Sequence, residues 1–272
     1  MKPGFYRDVS MTDYRNGPGI SRSDLALVAR SPKHFHERSK EKKSVAKELG
    51  TRVHTAFLEP HIWERDWLTC DFGRNSNAFK DMDKAVTAKG KHLITNAERE
   101  EAESIAQALR DDDFAMRILT NGERELTAYW VDEETGVLCK CRTDVLDRDD
   151  PSEWIIVDPK TAASANPEDF PRHAVKFGYH VQAAFYQDGV REAARQSGAD
   201  LPERITMCFV AIESDPPHGI ALYEFTPGMV EKGRDKYKRA LHIYAQCKAA
   251  GDWPGYPRVL NRIDTDYYKR GD

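Results

Sequence analysis

Residues 153–161 read Glu-Trp-Ile-Ile-Val-Asp-Pro-Lys-Thr, an apolar run that ends in a carboxylate and an ammonium group. Residues 137–147, which read Val-Leu-Cys-Lys-Cys-Arg-Thr-Asp-Val-Leu-Asp, precede this run across a polar turn signal. Both segments predict β-strands, because short apolar runs bounded by turn residues are typical of strands. Side chains alternate between the two faces of a strand, so position parity decides which groups can meet.

Parity brings three charged groups to one place. On 137–147 the odd positions predict one buried face: Val137, Cys139, Cys141, Thr143 and Val145. The even positions of that strand predict the other face: Lys140, Arg142 and Asp144. On the next strand one face carries Trp154, Ile156, Asp158 and Lys160. We therefore expect Asp144, Asp158 and Lys160 to converge where the paired strands end.

This convergence suits a metal ion. Mg²⁺ prefers one or two carboxylates completed by water and substrate phosphate oxygens, and acids on adjacent strands supply such a partial cage. Lys160 is predicted to orient the attacking water and neutralise developing charge; general-base action is the weaker alternative, because the acids favour its ammonium form. Pro159 has no amide to donate, so pairing should lapse there and its carbonyl is a candidate metal ligand. Taken alone, Asp-x-Lys is a weak signal, since strand ends often carry both residues where they reach solvent.

The rest of the chain predicts a mixed central sheet flanked by helices, an α/β (α+β) fold. The strand-like segments are 124–131, 137–147 and 153–160, forming a meander, then 204–213 and 219–225. The helical segments are 20–58 with Ser21 and Ser23 as candidate caps, Thr95 to about Leu109 after a capping-box pattern, a short one through Met116, about Tyr179 to Ala194, and about Pro227 to Ala249. No repeat or linker interrupts them. We expect one domain over 1–272, with a helical part at about 20–120 and a catalytic sheet core at about 122–250.

Charge is nearly balanced along the chain. The 272 residues include 41 Lys/Arg and 45 Asp/Glu, a net charge of −4, which argues against a generally basic nucleic-acid coat but allows local basic patches. One patch runs from Arg30 to Arg52, and a second comprises Lys232, Arg234, Lys236, Lys238 and Arg239. Solvated helix faces remain the alternative interpretation of both patches.

Cysteine usage and hydropathy indicate the compartment. The five cysteines are odd in number and scattered, without a C-x-x-C pair, and therefore predict reduced thiols in a cytosolic protein: Cys70, Cys139, Cys141, Cys208 and Cys247. No apolar run approaches the length of a membrane span, and the N-terminus lacks a signal-peptide core. We expect a soluble protein without a membrane partner, in the cytoplasm of a bacterial or phage-infected cell.

Several segments, in one order along the chain, resemble the core of RecE-type exonucleases (exonuclease VIII). They are 31–35 (Ser-Pro-Lys-His-Phe), 50–60 (Gly-Thr-Arg-Val-His-Thr-Ala-Phe-Leu-Glu-Pro), 130–144 ending in Arg-Thr-Asp, 155–161 and 182–186 (Gln-Ala-Ala-Phe-Tyr). That family is similar to lambda exonuclease and to the RecB nuclease domain, within the PD-(D/E)XK superfamily with its restriction-endonuclease-like core. The resemblance spans roughly residues 20–255. Pro159 departs from it, since relatives commonly carry an aliphatic residue there.

The resemblance implies a role for each matching residue. Asp144 and Asp158 match the metal-binding acids, Lys160 the catalytic lysine, and His54 the histidine of a Gly-x-x-x-His pattern near the metal. Gln182 and Tyr186 match a Gln-x-x-x-Tyr motif beside the active site, and their i, i+4 spacing places them on one helical face. Further candidates are Glu125 as a third acid, with an exposed strand residue as the alternative, and four possible DNA contacts: Arg142, Arg30, Ser31 and Arg52. Arg142 alternatively pairs with the acid.

The function implied by the resemblance is Mg²⁺-dependent (Mn²⁺ possible) exonuclease action on double-stranded DNA ends, 5′ to 3′, in phage-type recombination. A ring-shaped homo-oligomer and a single-strand annealing partner are implied as well. Two alternatives remain open. One is a catalytically idle DNA-binding module, and the other is a RecB-like or CRISPR-associated nuclease, which the lack of cluster-forming cysteines disfavours. Polarity and the choice between exonuclease and endonuclease do not follow from residue chemistry.

Overall fold

The computed structural model describes residues 1–38 and 45–262, and a six-stranded mixed sheet forms its centre. The strands are Gly4–Tyr6 (β1), Trp67–Cys70 (β2), His92–Thr95 (β3), Glu123–Val131 (β4), Leu138–Asp147 (β5), Glu153–Ala162 (β6), Arg204–Glu213 (β7) and Ile220–Glu224 (β8). The order is β1-β4-β5-β6-β7-β8; β6 and β7 pair in parallel, and the other neighbours pair antiparallel. β2 and β3 form a separate parallel pair. The mixed α/β fold and the β4–β5–β6 meander are confirmed.

Helices cover both faces of this sheet. They are Met11–Asn16 (α1), Arg22–Arg30 (α2), Pro32–His36 (α3), Val45–Leu58 (α4), Pro60–Asp66 (α5), Asn77–Thr87 (α6), Asn96–Asp111 (α7), Asp113–Thr120 (α8), Phe170–Lys176 (α9), Tyr179–Ser197 (α10) and Pro227–Ala250 (α11). The predicted helix over 20–58 is divided into α2, α3 and α4, and its residues 39–44 lie outside the described residues. Capping boxes begin α2 at Ser21 with Asp24 and α7 at Thr95 with Glu98, as the sequence pattern predicts.

Two apolar clusters sandwich the sheet. Helices α2, α10 and α11 pack on one face, around Cys139, Cys141 and Ile156. Helices α4, α5, α7 and α8 pack on the other, around Val145 and Val157. Burial on both faces explains why β6 and β7 read as nearly continuous apolar runs rather than alternating ones.

One prediction about β5 is wrong. Val145 was expected to share a face with Cys139 and Cys141, yet it lies in the opposite cluster. The β4–β5 ladder keeps one register from Glu123↔Leu146 to Val131↔Leu138, but the pair that would join Glu125 to Asp144 is absent from it. Glu125 has a φ of 55°, outside the strand region, and the alternation of faces changes at this position.

Some short elements escaped the sequence patterns. They are β1, α1, α5, β2, α6, β3 and α9. Within the described residues, no helix is long and apolar enough to cross a membrane.

Candidate metal centre and its surroundings

Asp144 and Asp158 lie where two paired strands part. The β5–β6 ladder comprises Val145↔Val157 and the two pairs beyond it, so both acids come directly after its last rung. β6 nevertheless stays paired with β7 along its whole length, through Pro159↔Val210. The expected lapse of pairing at Pro159 is therefore wrong with respect to β7. Successive residues direct their backbone groups to opposite neighbours, so a proline interrupts one ladder of a strand and leaves the other intact.

Both oxygens of Asp158 already have donors. Lys160 Nζ donates to Oδ2, and Gln182 Nε2, from α10, donates to Oδ1 at 2.6 Å. The carboxylate is 3% exposed, and the rings of Tyr179 and Phe209 flank the ammonium with centroids 5.3 and 5.9 Å away. The structure thus brings Asp158, Lys160 and Gln182 together as predicted. Lys160 holds the position on Oδ2 that a metal ion would need.

His54 reaches the acids because a glycine lies one turn before it. A methyl group at Gly50 would come within 3.2 Å of Thr161 Oγ1, so the absence of a side chain lets α4 approach β6 closely. His54 Nε2 then lies 3.0 Å from Glu125 Oε1 and 3.2 Å from Asp144 Oδ1. The unpaired position of the β4–β5 ladder therefore directs two carboxylates at one imidazole nitrogen.

Glu59 completes a set of metal-type ligands that the site predictions did not include. It follows α4 directly, and its carboxylate, Glu125 and His54 place ligand atoms within 4.8 Å of one another. It was missed because it lies in the connection between α4 and α5, far from the strands that carry the other acids.

The arrangement of these ligand atoms fits a small divalent cation. Glu125 Oε1 is buried without a hydrogen-bond partner among the described residues, although it lies 3.0 Å from His54 Nε2. Ligands at right angles on an ion with bonds of about 2.0–2.1 Å are about 2.9 Å apart, close to the two distances from Nε2. Oxygen donors with one imidazole suit Mg²⁺ or Mn²⁺. His54, Glu125, Asp144 and Glu59, with Asp158 beside them, are the residues that would hold it.

Burial and opposite charges shift the pKa values of these groups. Burial raises the pKa of Asp158 to about 6, because the charge of Asp144 partly offsets the pull of Lys160. For Asp144 burial acts in the same direction, but His54 and Lys160 outweigh it and hold its pKa below the usual value. Burial opposes charge on His54 and Lys160, yet the surrounding carboxylates, Glu125 included, raise both pKa values. Without a metal, His54 is an imidazolium and Lys160 an ammonium.

Tyr186 and Arg22 lie at the edge of the same site. Burial, followed by the charges of Tyr14 and Cys141 and then of the site acids, raises the pKa of Tyr186 well above its usual value, so its phenol stays a donor. Arg22 Nη2 donates to the carbonyl oxygens of Phe177 and Gly178, the latter at 2.8 Å. These bonds tie α2 to the start of α10, the helix that carries Gln182 and Tyr186.

The predicted DNA contacts are not supported by the structure. Arg142 is 8% exposed and donates to Glu125 and to the Val9 carbonyl, so it positions the acid. Arg52 is 2% exposed and pairs with Glu98 and Glu101. Both guanidinium groups are already occupied by carboxylates inside the fold, so a phosphate cannot reach them.

The remaining two candidates also have structural partners. Ser31 is 5% exposed and caps α3, with Oγ 2.5 Å from His34 Nδ1. Arg30 is exposed, and its Nε donates to the Tyr256 hydroxyl at 3.2 Å. Ser31 is thus unavailable to a phosphate, whereas a DNA contact by Arg30 stays a prediction, as does a metal contact by the Pro159 carbonyl.

We expect the metal-free protein to gain stability as the pH falls from 8 to 5. Asp158 and His54 both have pKa values above their usual 3.8 and 6.5. The folded state therefore binds protons more tightly than the unfolded state over this range. The contribution of Asp158 is complete below 3.8 and is lost as the pH rises through about 6; that of His54 is lost as the pH rises through its raised pKa.

Melting curves in EDTA measure this effect against a matched variant. The melting temperature of wild type minus that of His54→Gln should grow toward pH 5, by roughly 2–4 °C for each kcal/mol. A difference that is constant with pH, or that shrinks toward pH 5, contradicts the assigned charge state of His54.

Comparison with known proteins places the fold. A crystal structure of a "putative exonuclease" from Eubacterium rectale superposes with a TM-score of 0.61 at 17% identity and covers 98% of each chain. The structure of SSO0001 gives a TM-score of 0.28 at 16% identity over 71% of this chain and 86% of its own, too low to indicate a shared fold. No curated protein sequence matches the chain. The sequence model of one family matches residues 21–263, nearly the whole chain, and the protein therefore belongs to the family of PDDEXK-like domains of unknown function (DUF3799).

Proposed function

We propose that the protein is a divalent-metal-dependent nuclease that hydrolyses phosphodiester bonds at the ends of double-stranded DNA, in the 5′-to-3′ direction. One observation carries the proposal: Asp144 and Asp158 flank the last rung of the β5–β6 ladder, with Lys160 and Gln182 on Asp158. Membership of a PDDEXK-like family and the shared fold support it. End specificity, direction and the use of Mg²⁺ rest on the resemblance to RecE-type exonucleases, as do a ring-shaped oligomer, an annealing partner and a role in recombination, which stay predictions.

The side chains divide the chemical work. A bound Mg²⁺ would polarise a phosphate oxygen and lower the pKa of a coordinated water. Lys160, held as an ammonium, orients the attacking water and stabilises charge on the phosphoryl oxygens. Gln182 fixes the rotamer of Asp158 by its hydrogen bond to Oδ1. Tyr186 supplies a phenolic O–H that can donate to an anionic oxygen of the substrate.

His54 acts differently in the two states. As an imidazolium it lies between Glu125 and Asp144 and offsets their mutual repulsion. To coordinate an ion through Nε2 it must first lose its proton, so metal binding releases a proton here. This exchange prevents the carboxylates from destabilising the fold before an ion arrives.

Side-by-side digestion of linear and covalently closed circular duplexes tests the proposal. With Mg²⁺ or Mn²⁺, the linear duplex should shorten from its ends and release a 5′ label before a 3′ label, while the circle stays closed. EDTA should stop all product formation, because the residues described supply no other electrophile for the phosphate.

Other outcomes point to other functions. Nicking or linearisation of the circle would assign an endonuclease. Salt-dependent DNA binding without nucleotide release at any divalent-ion concentration would assign a DNA-binding module that has lost catalysis.

A further inference from the structure

The five basic residues of α11 divide between two faces of the helix. Arg234 Nε donates to Asp188 Oδ2 at 2.6 Å, and Lys238 Nζ to Asp132 Oδ2 at 2.7 Å. These two cations are neutralised by carboxylates of the fold. The other three follow i, i+4, i+7 spacing and so share one helical face: Lys232, Lys236 and Arg239.

These three cations line a cavity of 410 Å³ beside the start of α10. Within the described part of the chain, none of Lys232, Lys236 and Arg239 forms an ion pair with a carboxylate. Asp235 also lines the cavity, so the local balance is three positive charges against one negative. An unpaired excess of this kind attracts an anion.

His180 adds a buried donor to the cavity wall. It is 2% exposed and its Nε2 lies 3.0 Å from Lys236 Nζ. An ammonium only donates, so Nε2 is the acceptor and the proton of the neutral ring is on Nδ1. Burial, and then the charge of Lys236, lower the pKa of His180, which agrees with a neutral ring. Among the described residues Nδ1 has no hydrogen-bond partner although it is buried, and such an N–H calls for an acceptor.

The position of His180 is fixed by a helix crossing. A methyl group at Gly233 would lie 2.1 Å from the His180 carbonyl oxygen, so α11 contacts the backbone of α10 directly here. The side chains of His180 and Gln182 are about 200° apart around α10. The cavity and the metal centre therefore lie on opposite sides of one helix, a separation of about 10 Å.

We propose that this cavity is a phosphate-binding subsite that holds a backbone phosphate of substrate DNA. The assignment rests on the proposed nuclease function. Lysine and arginine donors converge with one neutral N–H, the donor set that binds phosphate oxygens. The volume equals that of about a dozen waters, enough for a phosphate with its sugar, and Val175 and Met229 supply an apolar wall. A separation of about 10 Å corresponds to about three nucleotide steps from the scissile bond.

The test combines charge-neutralised variants with modified DNA. We compare the full-length wild type, Lys232→Gln/Arg239→Gln and the control Lys80→Gln/Lys84→Gln, which makes the same charge change on the exposed face of α6. Binding of a fluorescent linear duplex is measured with Ca²⁺ in place of Mg²⁺ over a range of salt. The cavity variant should bind about tenfold more weakly at low salt, with a salt slope lower by about 1.8 for two lost contacts. The control should match wild type, and Asp235→Asn should bind more tightly.

Single methylphosphonate substitutions locate the contact. In wild type, one neutral linkage about three nucleotides from the cleaved end should weaken binding, and in the cavity variant the same substitution should have no effect. A cavity variant that binds like wild type at every linkage overturns the subsite but leaves the nuclease intact. Inorganic phosphate or a deoxynucleotide that binds with the same dependence on Lys232 and Arg239, without any methylphosphonate effect, overturns the backbone assignment in favour of a free-anion site. If the wild type neither binds nor cleaves DNA, the proposed function itself has failed and the subsite with it.

Discussion

Replacing Asp158 by asparagine should reduce metal-dependent DNA cleavage by about 10³-fold or more, equivalent to about 4 kcal/mol of transition-state stabilisation. Asparagine keeps the size of the side chain and an Oδ1 that accepts from Gln182, so the rotamer is preserved. It removes the negative charge that holds both Lys160 and the proposed ion. Divalent-ion affinity should therefore fall together with the rate.

Rates of nucleotide release under single-turnover conditions, with metal affinity measured by calorimetry, check this expectation. Asp81→Asn is the matched control, because it makes the same chemical change on an exposed face of α6 and should leave both quantities unchanged. Circular dichroism establishes that both variants are folded. Full cleavage by a folded Asp158→Asn protein would remove this carboxylate from the reaction.

Lys160→Met should give the opposite effect on metal affinity and a loss of activity of about 10²–10³-fold. The methionine side chain approximates the aliphatic stem of lysine and keeps the contacts with Tyr179 and Phe209. Because the ammonium occupies Asp158 Oδ2, its removal frees that oxygen, and the ion should bind more tightly. Tighter metal binding with slower cleavage distinguishes a group that acts on substrate from one that only supports the metal site.

Two further variants sharpen the test of Lys160. Lys160→Arg retains the charge but replaces a point donor by a planar fork, so it should not restore the rate. Lys84→Met, on the exposed face of α6, should behave as wild type. Lys160→Met with unchanged metal affinity and unchanged rate would show that the ammonium balances charge in the fold and takes no part in the reaction.

The sequence predicts the long elements of this fold because each carries its own periodicity. β4, β5 and β6, as well as α10 and α11, were identified from alternation and helical spacing to within a few residues. The convergence of Asp158, Lys160 and Gln182 was also predictable, the first two by strand parity and the third by family resemblance. Strands of three or four residues, such as β1, β2 and β3, carry too few alternations to be recognised.

What the sequence could not predict depends on contacts between distant residues. The change of faces at Glu125 follows from a positive φ that no local pattern signals. Arg142 and Arg52 look like phosphate ligands in the sequence, because their acidic partners lie elsewhere in the chain: Glu125, Glu98 and Glu101. The basic run of α11 likewise reads as one patch until Asp188 and Asp132 neutralise half of it.

The unbroken pairing of β6 with β7 past the point where β5 departs has one more consequence. Neighbouring strands are spaced at about 4.8 Å, and a carboxylate mounted on a strand cannot retreat without breaking that ladder. Ca²⁺ requires bonds of about 2.3–2.6 Å and six to eight oxygens, whereas Mg²⁺ accepts about 2.0–2.1 Å. For the proposed ion, such a frame discriminates by ionic radius, and this selectivity comes from the stiffness of the sheet rather than from the identity of the side chains.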